Sequence, residues 1–356
     1  MTGKTNIRYQ YTPQMRFYDG LPHHYEPYIM FTQSKNYSTD VINTDRHGYR
    51  FTKRGSSVAT VDRIDAYESV NLCIGGSSAF GVGATSDGTT IPSRLSDTDG
   101  KIWLNLGIRA GNSMQECISL LNIIGRTRIE KIVVFSGFND IYLSMINECD
   151  AYYDFLFQNK RILSALEQSS MTFIKSRKRW FSKIVAKWKG ISQQEIAHQS
   201  YRKMLKYRPV SSNDGKTADV FEKFGRTCKR YFIFLASLKS LFDIDVVYCL
   251  QPYFGWTKKP ASPEEKILFS YLEDKQKNSV WNTIKNKIDR TTYFKILQLV
   301  EQFSQEYRVP LLDANLIFST DEFMFVDGLH LTDDGYRVCA DHINNSLKQI
   351  EKSGGN

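Results

Sequence analysis

The sequence predicts an α/β protein built on a parallel sheet with helices on both faces. Two observations carry that prediction. Short apolar runs recur along the chain, each bounded by Gly, Pro or polar residues: Val70–Ile74, Ile102–Leu106, Ile132–Phe135, Ile244–Leu250 and the shorter Val309–Leu312. Between them lie stretches whose apolar residues follow helical spacing. Runs apolar throughout, alternating with helices, are the pattern of a parallel sheet covered on both faces.

The elements follow in order. Residues 1–60 are rich in Tyr and turn-forming residues and read as an extension wrapped on the core. The main domain is expected over 61–350. Thr90–Leu95 and Ser113–Ile124 fit the first two crossover helices. Pro92 is tolerable in a first turn, and Ser113 followed by Glu116 suggests a capping box. Thr217–Leu241 and Thr292–Tyr307 fit later helices, and Asp333–Ile350 a C-terminal one. Residues 150–225 exceed a normal crossover and read as a helical insertion. No internal repeat is present.

Size and composition narrow the class. The chain has 356 residues, enough to bury a core without disulfides or metals. Hydrophobic residues make up 41%, aromatics 13%, and the mean hydropathy is −0.39, which excludes a disordered chain, a collagen-like fibre and a multi-span membrane protein. No run approaches the length of a membrane-spanning helix. The N-terminus lacks the apolar core of a secretory signal, so a cytoplasmic location is expected. Six cysteines (Cys73, Cys117, Cys149, Cys228, Cys249, Cys339) show no repeated spacing and read as reduced core thiols. Without CxxC or HExxH, neither a metal nor another cofactor is expected.

The net charge is +9. Its sharpest source is the stretch from Gln168 to Gln194, which has no acidic residue. It carries Lys175, Arg177, Lys178, Arg179, Lys183, Lys187 and Lys189. Phe173, Ile174, Trp180, Phe181, Ile184, Val185 and Trp188 recur at helical spacing, giving one aromatic and one basic face. Such a helix packs on the core, covers a cleft as a lid, or lies on an anionic membrane, peripheral at its inner surface. Charge confined to one helix, with no recognised motif, gives no reason to expect a nucleic-acid partner.

Four separated segments carry chemistry. Gly75-Gly76-Ser77-Ser78-Ala79-Phe80-Gly81 directly follows the first strand and can expose a hydroxyl at the sheet edge. It is not a P-loop, since Val82 follows Gly81. A dinucleotide fingerprint fails at Ser86, and a GxSxG elbow fails at Ala79. The second segment, Asn105-Leu106-Gly107-Ile108-Arg109-Ala110-Gly111-Asn112-Ser113, ends the second strand with small residues that let backbone N–H groups approach a ligand. The third, Ser136-Gly137-Phe138-Asn139-Asp140, follows the third strand. In the fourth, Asp327 stands three residues before His330 and can bring its carboxylate to Nδ1 of the imidazole, leaving Nε2 free as a base. The remaining histidines (His23, His24, His47, His198, His342) read as surface or structural.

In order and spacing these segments resemble the four blocks of the SGNH (GDSL-like) hydrolase family, over roughly residues 65–145 and 305–345. The resemblance implies a three-layer α/β/α, flavodoxin-like fold with a central five-stranded parallel sheet. It also implies roles: Ser77 as nucleophile, His330 as general base and Asp327 as its orienting carboxylate. The oxyanion hole would use the N–H of Ser77, the Asn139 side chain, and the N–H of Ala110 or Gly111. The chain departs from the family pattern where Gly76 replaces the aspartate of Gly-Asp-Ser. It departs again where Ala110 stands in place of a glycine; alanine suits that position if its φ stays negative. Arg109, beside the proposed hole, either binds an anionic group of the substrate or pairs with a core acid such as Glu116.

The expected function is a serine esterase that removes an O-acyl group, foremost O-acetyl, from a carbohydrate or related metabolite. The partner is then a small-molecule or glycan ester. Two alternatives stay open from the sequence alone: an O-acyltransferase using the same residues in surface-glycan synthesis, and an inactive binding protein of the same fold.

Overall fold

The computed structural model describes residues 6–146, 220–275 and 285–354. The expected insertion at 150–225 lies outside them except for 220–225, and so do the basic helix at 173–189 and Cys149.

Two short helices, α1 (Ile7–Tyr11) and α2 (Met15–Gly20), open the chain. Two antiparallel hairpins follow, β1 (His23–Glu26) with β2 (Met30–Gln33) and β3 (Thr52–Arg54) with β4 (Ser57–Ala59). The segment is fastened to the body by burial: Met15, Tyr18, Leu21, Val41 and Ile42 pack with Phe80, Val82 and Val326.

The body alternates strands and helices. In order they are β5 (Ser69–Gly75), the single turn α3 (Ser77–Phe80), α4 (Ile91–Asp99), β6 (Trp103–Gly107), α5 (Ser113–Leu121), β7 (Arg128–Ser136), α6 (Phe138–Ile146), α7 (Val220–Phe242), β8 (Asp245–Leu250), α8 (Pro263–Lys275), α9 (Arg290–Tyr307), β9 (Leu311–Asp313) and α10 (Asp333–Gly354). The five strands are all parallel, in the order β6-β5-β7-β8-β9. Each apolar run of the sequence overlaps one of them. β9 begins only after Pro310, which has no N–H to give a ladder but whose carbonyl accepts from Tyr248.

Side chains alternate across the sheet as a two-residue period requires. On one face Cys73, Val133, Phe135, Val247 and Cys249 meet Ile91 and Leu95 of α4 and Tyr336, Ala340 and Ile343 of α10. On the other, Tyr248 meets Phe232 of α7 with ring centroids 5.0 Å apart, and Phe232 in turn packs on Phe303 of α9. The fold is therefore the expected three-layer α/β/α sandwich.

Three local expectations need correction. The capping box of α5 is Asn112 with Gln115, one residue earlier than Ser113 with Glu116. Asn112 accepts from the Gln115 N–H, and Glu116 is drawn instead into the core. Helix α6 starts at Phe138, inside the third segment, and has no counterpart among the predicted helices. Helix α8 has no counterpart among the predicted elements because its buried stripe contains a charged residue, Glu265, beside Leu268. Cys73, Cys117, Cys228, Cys249 and Cys339 are free thiols. Among the described residues, no helix is long and apolar enough to cross a membrane.

Candidate active site

The strand order locates the site. From β5 the chain moves to β6 on one side, then crosses to β7, β8 and β9 on the other. The crevice at the carboxyl ends of β5 and β7 is the switch point where such sheets bind ligands. The register brings Gly75 opposite both Gly107 and Phe135, so the loops after β5, β6 and β7 leave the sheet side by side. Gly75 has a φ of +154°, and a Cβ there would fall 2.0 Å from the Phe135 carbonyl oxygen, so only glycine fits.

The turn after Gly75 presents Ser77, partly exposed at the start of α3. Across the crevice, the loop before α10 carries Asp327 and His330. His330 Nε2 lies 2.7 Å from Ser77 Oγ, and His330 Nδ1 lies 2.8 Å from Asp327 Oδ2. Asp327 Oδ1 also accepts the N–H groups of Leu329 and His330, both at 2.9 Å, which closes the loop into a fixed turn. Burial alone would raise the Asp327 carboxyl. The His330 ring, its hydrogen bond and the Arg8 guanidinium outweigh that and hold it well below the usual carboxylate range. Ser77 and His330, 253 positions apart in sequence, thus join with Asp327 in one relay.

Asn139, the second residue of α6, approaches from the β7 side. Its Nδ2 donates to the Gly111 carbonyl at 2.6 Å. A Cβ on Gly76 would lie 2.7 Å from that Nδ2. Glycine at position 76 therefore leaves the space into which the Asn139 amide fits.

The second block differs from expectation in two ways. The Gly111 N–H, one of the two expected backbone donors, donates to the Ile108 carbonyl at 2.8 Å within a tight turn and is already committed. Ala110 itself has a φ of +60°, in the left-handed region, so the condition that its φ stay negative is not met. An alanine there carries about 1–2 kcal/mol of backbone strain that glycine would not.

Arg109 does not reach Glu116. Its guanidinium donates to the Leu21 carbonyl at 2.7 Å, against the N-terminal segment, and burial lowers its pKa. Glu116 accepts instead from Ser136 Oγ at 2.6 Å and Tyr231 OH at 2.5 Å. Nearby, Asp140 accepts from Ser113 Oγ at 2.9 Å. Burial, with the Asp140 charge added, pushes Glu116 up to about 8; burial pushes Asp140 up to about 6.

Several supports have no local signal in the sequence. Ser78 Oγ donates to the Leu329 carbonyl at 3.3 Å and accepts from Gln251 Nε2 at 3.2 Å, joining the serine loop, the end of β8 and the histidine loop. Arg50, fully buried, donates to Gly81 and Val41 carbonyls and pairs with Asp87 at 2.8 Å, bracing the glycine turn from below. Among the described residues, no cluster of His, Cys, Asp and Glu is arranged to hold a metal ion.

No family model matches the chain, and no curated protein matches it. Solved structures do. A carbohydrate acetylesterase from Sinorhizobium meliloti shares 11% identity, covering 80% of this chain and 100% of its own, with a TM-score of 0.40. An acetylxylan esterase from Geobacillus stearothermophilus shares 12% identity over 77% of this chain and 91% of its own, with a TM-score of 0.38. An aryl esterase from M. smegmatis shares 11% identity over 79% and 99%, with a TM-score of 0.41.

Proposed function

We propose that this chain is an SGNH-type serine esterase that removes an O-acyl group, foremost O-acetyl, from a carbohydrate. The observation that carries this reading is the relay Asp327–His330–Ser77, with contacts of 2.8 and 2.7 Å. Ser77 Oγ attacks the acyl carbon while His330 Nε2 takes its proton. Asp327 at Nδ1 fixes the tautomer and favours the imidazolium that forms. The developing oxyanion is met by the N–H groups of Ser77 and Ala110 and by Asn139 Nδ2. An amide has two N–H donors, and Asn139 spends one on Gly111. The alcohol leaves with the proton from His330, and the acyl group stays on Ser77. Water then attacks that ester with His330 as base, releasing the acid and restoring the serine.

A fluorophosphonate probe and p-nitrophenyl acetate test this reading. Wild type is expected to label and to hydrolyse the ester. Ser77→Ala should not label and should lose about 10⁴-fold or more in kcat. Equal inactivity of both proteins across acyl lengths and acetylated sugars would remove the reading's support. Mass spectrometry with an added acceptor sugar reports whether water or a hydroxyl receives the acyl group.

A further inference from the structure

One contact of the relay comes from outside the four blocks. Arg8, on α1, places its NH2 group 3.4 Å from Asp327 Oδ2 and 3.6 Å from Asp19 Oδ1 on α2. Arg8 is largely covered, its side chain 15% exposed, and its buried Nε has no hydrogen-bond partner. The guanidinium is therefore held by the charges of the two carboxylates and not by a full set of hydrogen bonds.

That geometry has a chemical consequence. Asp327 Oδ2 is the oxygen nearest His330 Nδ1, and Arg8 shares it. A cation on that oxygen offsets part of the negative charge by which Asp327 favours the protonated ring. We propose that Arg8 is a positioning residue of the relay: by holding Asp327 it sets how readily His330 takes up a proton, and it makes the N-terminal segment part of the working site. This proposal rests on the esterase reading for its catalytic meaning but not for its electrostatic content.

Other charged or titratable groups lie around the pair, among them Tyr271 of α8, which packs against α1 beside Tyr9. Asp19 opposes Arg8 and accepts from Tyr9 OH of α1 at 3.1 Å. The Tyr253 ring, in the loop after β8, would lie 3.2 Å from a Cβ on Gly328. The buried Lys259–Glu265 pair, 2.6 Å apart, holds the backbone at Met324 and Phe325. Asp333 starts α10 and accepts from Thr85. Among the described residues, Arg8 is the cation that touches Asp327 directly from another element.

The test compares wild type, Arg8→Gln, Arg8→Lys and Asp19→Asn. The first readout is the pH dependence of fluorophosphonate labelling at Ser77. Removing a cation favours the imidazolium, so the acid limb in Arg8→Gln should move up by about 0.5–1 on the pH scale. Arg8→Lys should stay near wild type. Asp19→Asn, which frees Arg8 from its competitor, should move the limb down. Thermal melting checks that each variant is folded, and Asp19→Asn decides if Arg8→Gln does not fold. The second readout is the NMR titration of the His330 ring, assigned against His330→Asn, which needs no activity. If nothing labels but the ring titration moves as stated, the esterase reading fails and the role of Arg8 stands. Unchanged titrations in folded Arg8→Gln and Asp19→Asn overturn the proposal.

Discussion

Gly76 and Ala110 show how single positions tune this site. At Gly76, a side chain would collide with the Asn139 amide, since a Cβ lies 2.7 Å from Nδ2. The φ of Gly76 is −81°, so alanine meets no left-handed backbone there, and the conflict falls on Asn139 alone. Gly76→Ala is therefore predicted to lower kcat on an acetyl ester by about 10²-fold, the cost of one displaced oxyanion donor. The melting temperature should change by only a few degrees. A kcat within twofold of wild type would show that Asn139 is not a donor. At Ala110, the left-handed φ predicts the reverse experiment. Ala110→Gly relieves strain but adds chain entropy to the unfolded state, so it should raise stability by up to about 1 kcal/mol in urea unfolding. Ser77 and Asn139 stood out in the sequence because each closely follows a strand, and Asp327 and His330 because they stand three apart ahead of the last helix; the order and spacing of the segments linked them. The sign of φ at Ala110 was not, because it depends on how the turn closes through Gly111 and Ile108.

Among the elements, the strands were the most legible, since burial on both faces leaves a short apolar run bounded by polar or turn residues. Helix α8 was hidden for the opposite reason: its inward face carries a carboxylate. Glu265 Oε1 accepts the N–H groups of Met324 and Phe325 at 3.0 and 2.9 Å, and Oε2 accepts Lys259 Nζ at 2.6 Å. The helix thus grips the backbone just ahead of Asp327. Removing the acid leaves a buried lysine charge without its counter-ion and takes the acceptor from three buried N–H groups, those of Ser262, Met324 and Phe325. Glu265→Ala is expected to destabilise the protein by about 3–5 kcal/mol in urea unfolding. Loss below about 1 kcal/mol would mean that Lys259 escapes to water and the brace is weak. Contacts of this type, like that of Arg8 with Asp327 across 319 positions, leave no periodic trace in a sequence. They arise only once the sheet has brought distant loops to one edge.

The whole molecule sets two opposing demands on pH around one crevice. The proposed chemistry at Ser77 needs an unprotonated imidazole, which favours higher pH. Burial, by contrast, favours the protonated forms of the Glu116 and Asp140 carboxyls nearby. Glu116 stands at about 8 when folded against an ordinary 4.5, and Asp140 at about 6 against 3.8. Both folded values are raised, so between roughly pH 4 and 8 the folded chain holds protons that the unfolded chain releases. Their contribution is fully present below the unfolded values and is lost as pH rises through the folded ones. A tenfold difference in proton affinity between the folded and unfolded chain corresponds to about 1.4 kcal/mol, so the loss amounts to a few kcal/mol. Glu116→Gln keeps a hydrogen-bonding amide between Ser136 and Tyr231 and cannot ionise. It should match wild type within about 1 kcal/mol at roughly pH 5 and exceed it by a few kcal/mol at about pH 8.5 in urea unfolding. Parallel stability curves for the two proteins would show that Glu116 does not titrate in this range. With Glu116 no longer losing stability to ionisation, the variant should also retain the proposed esterase activity further into alkali than wild type.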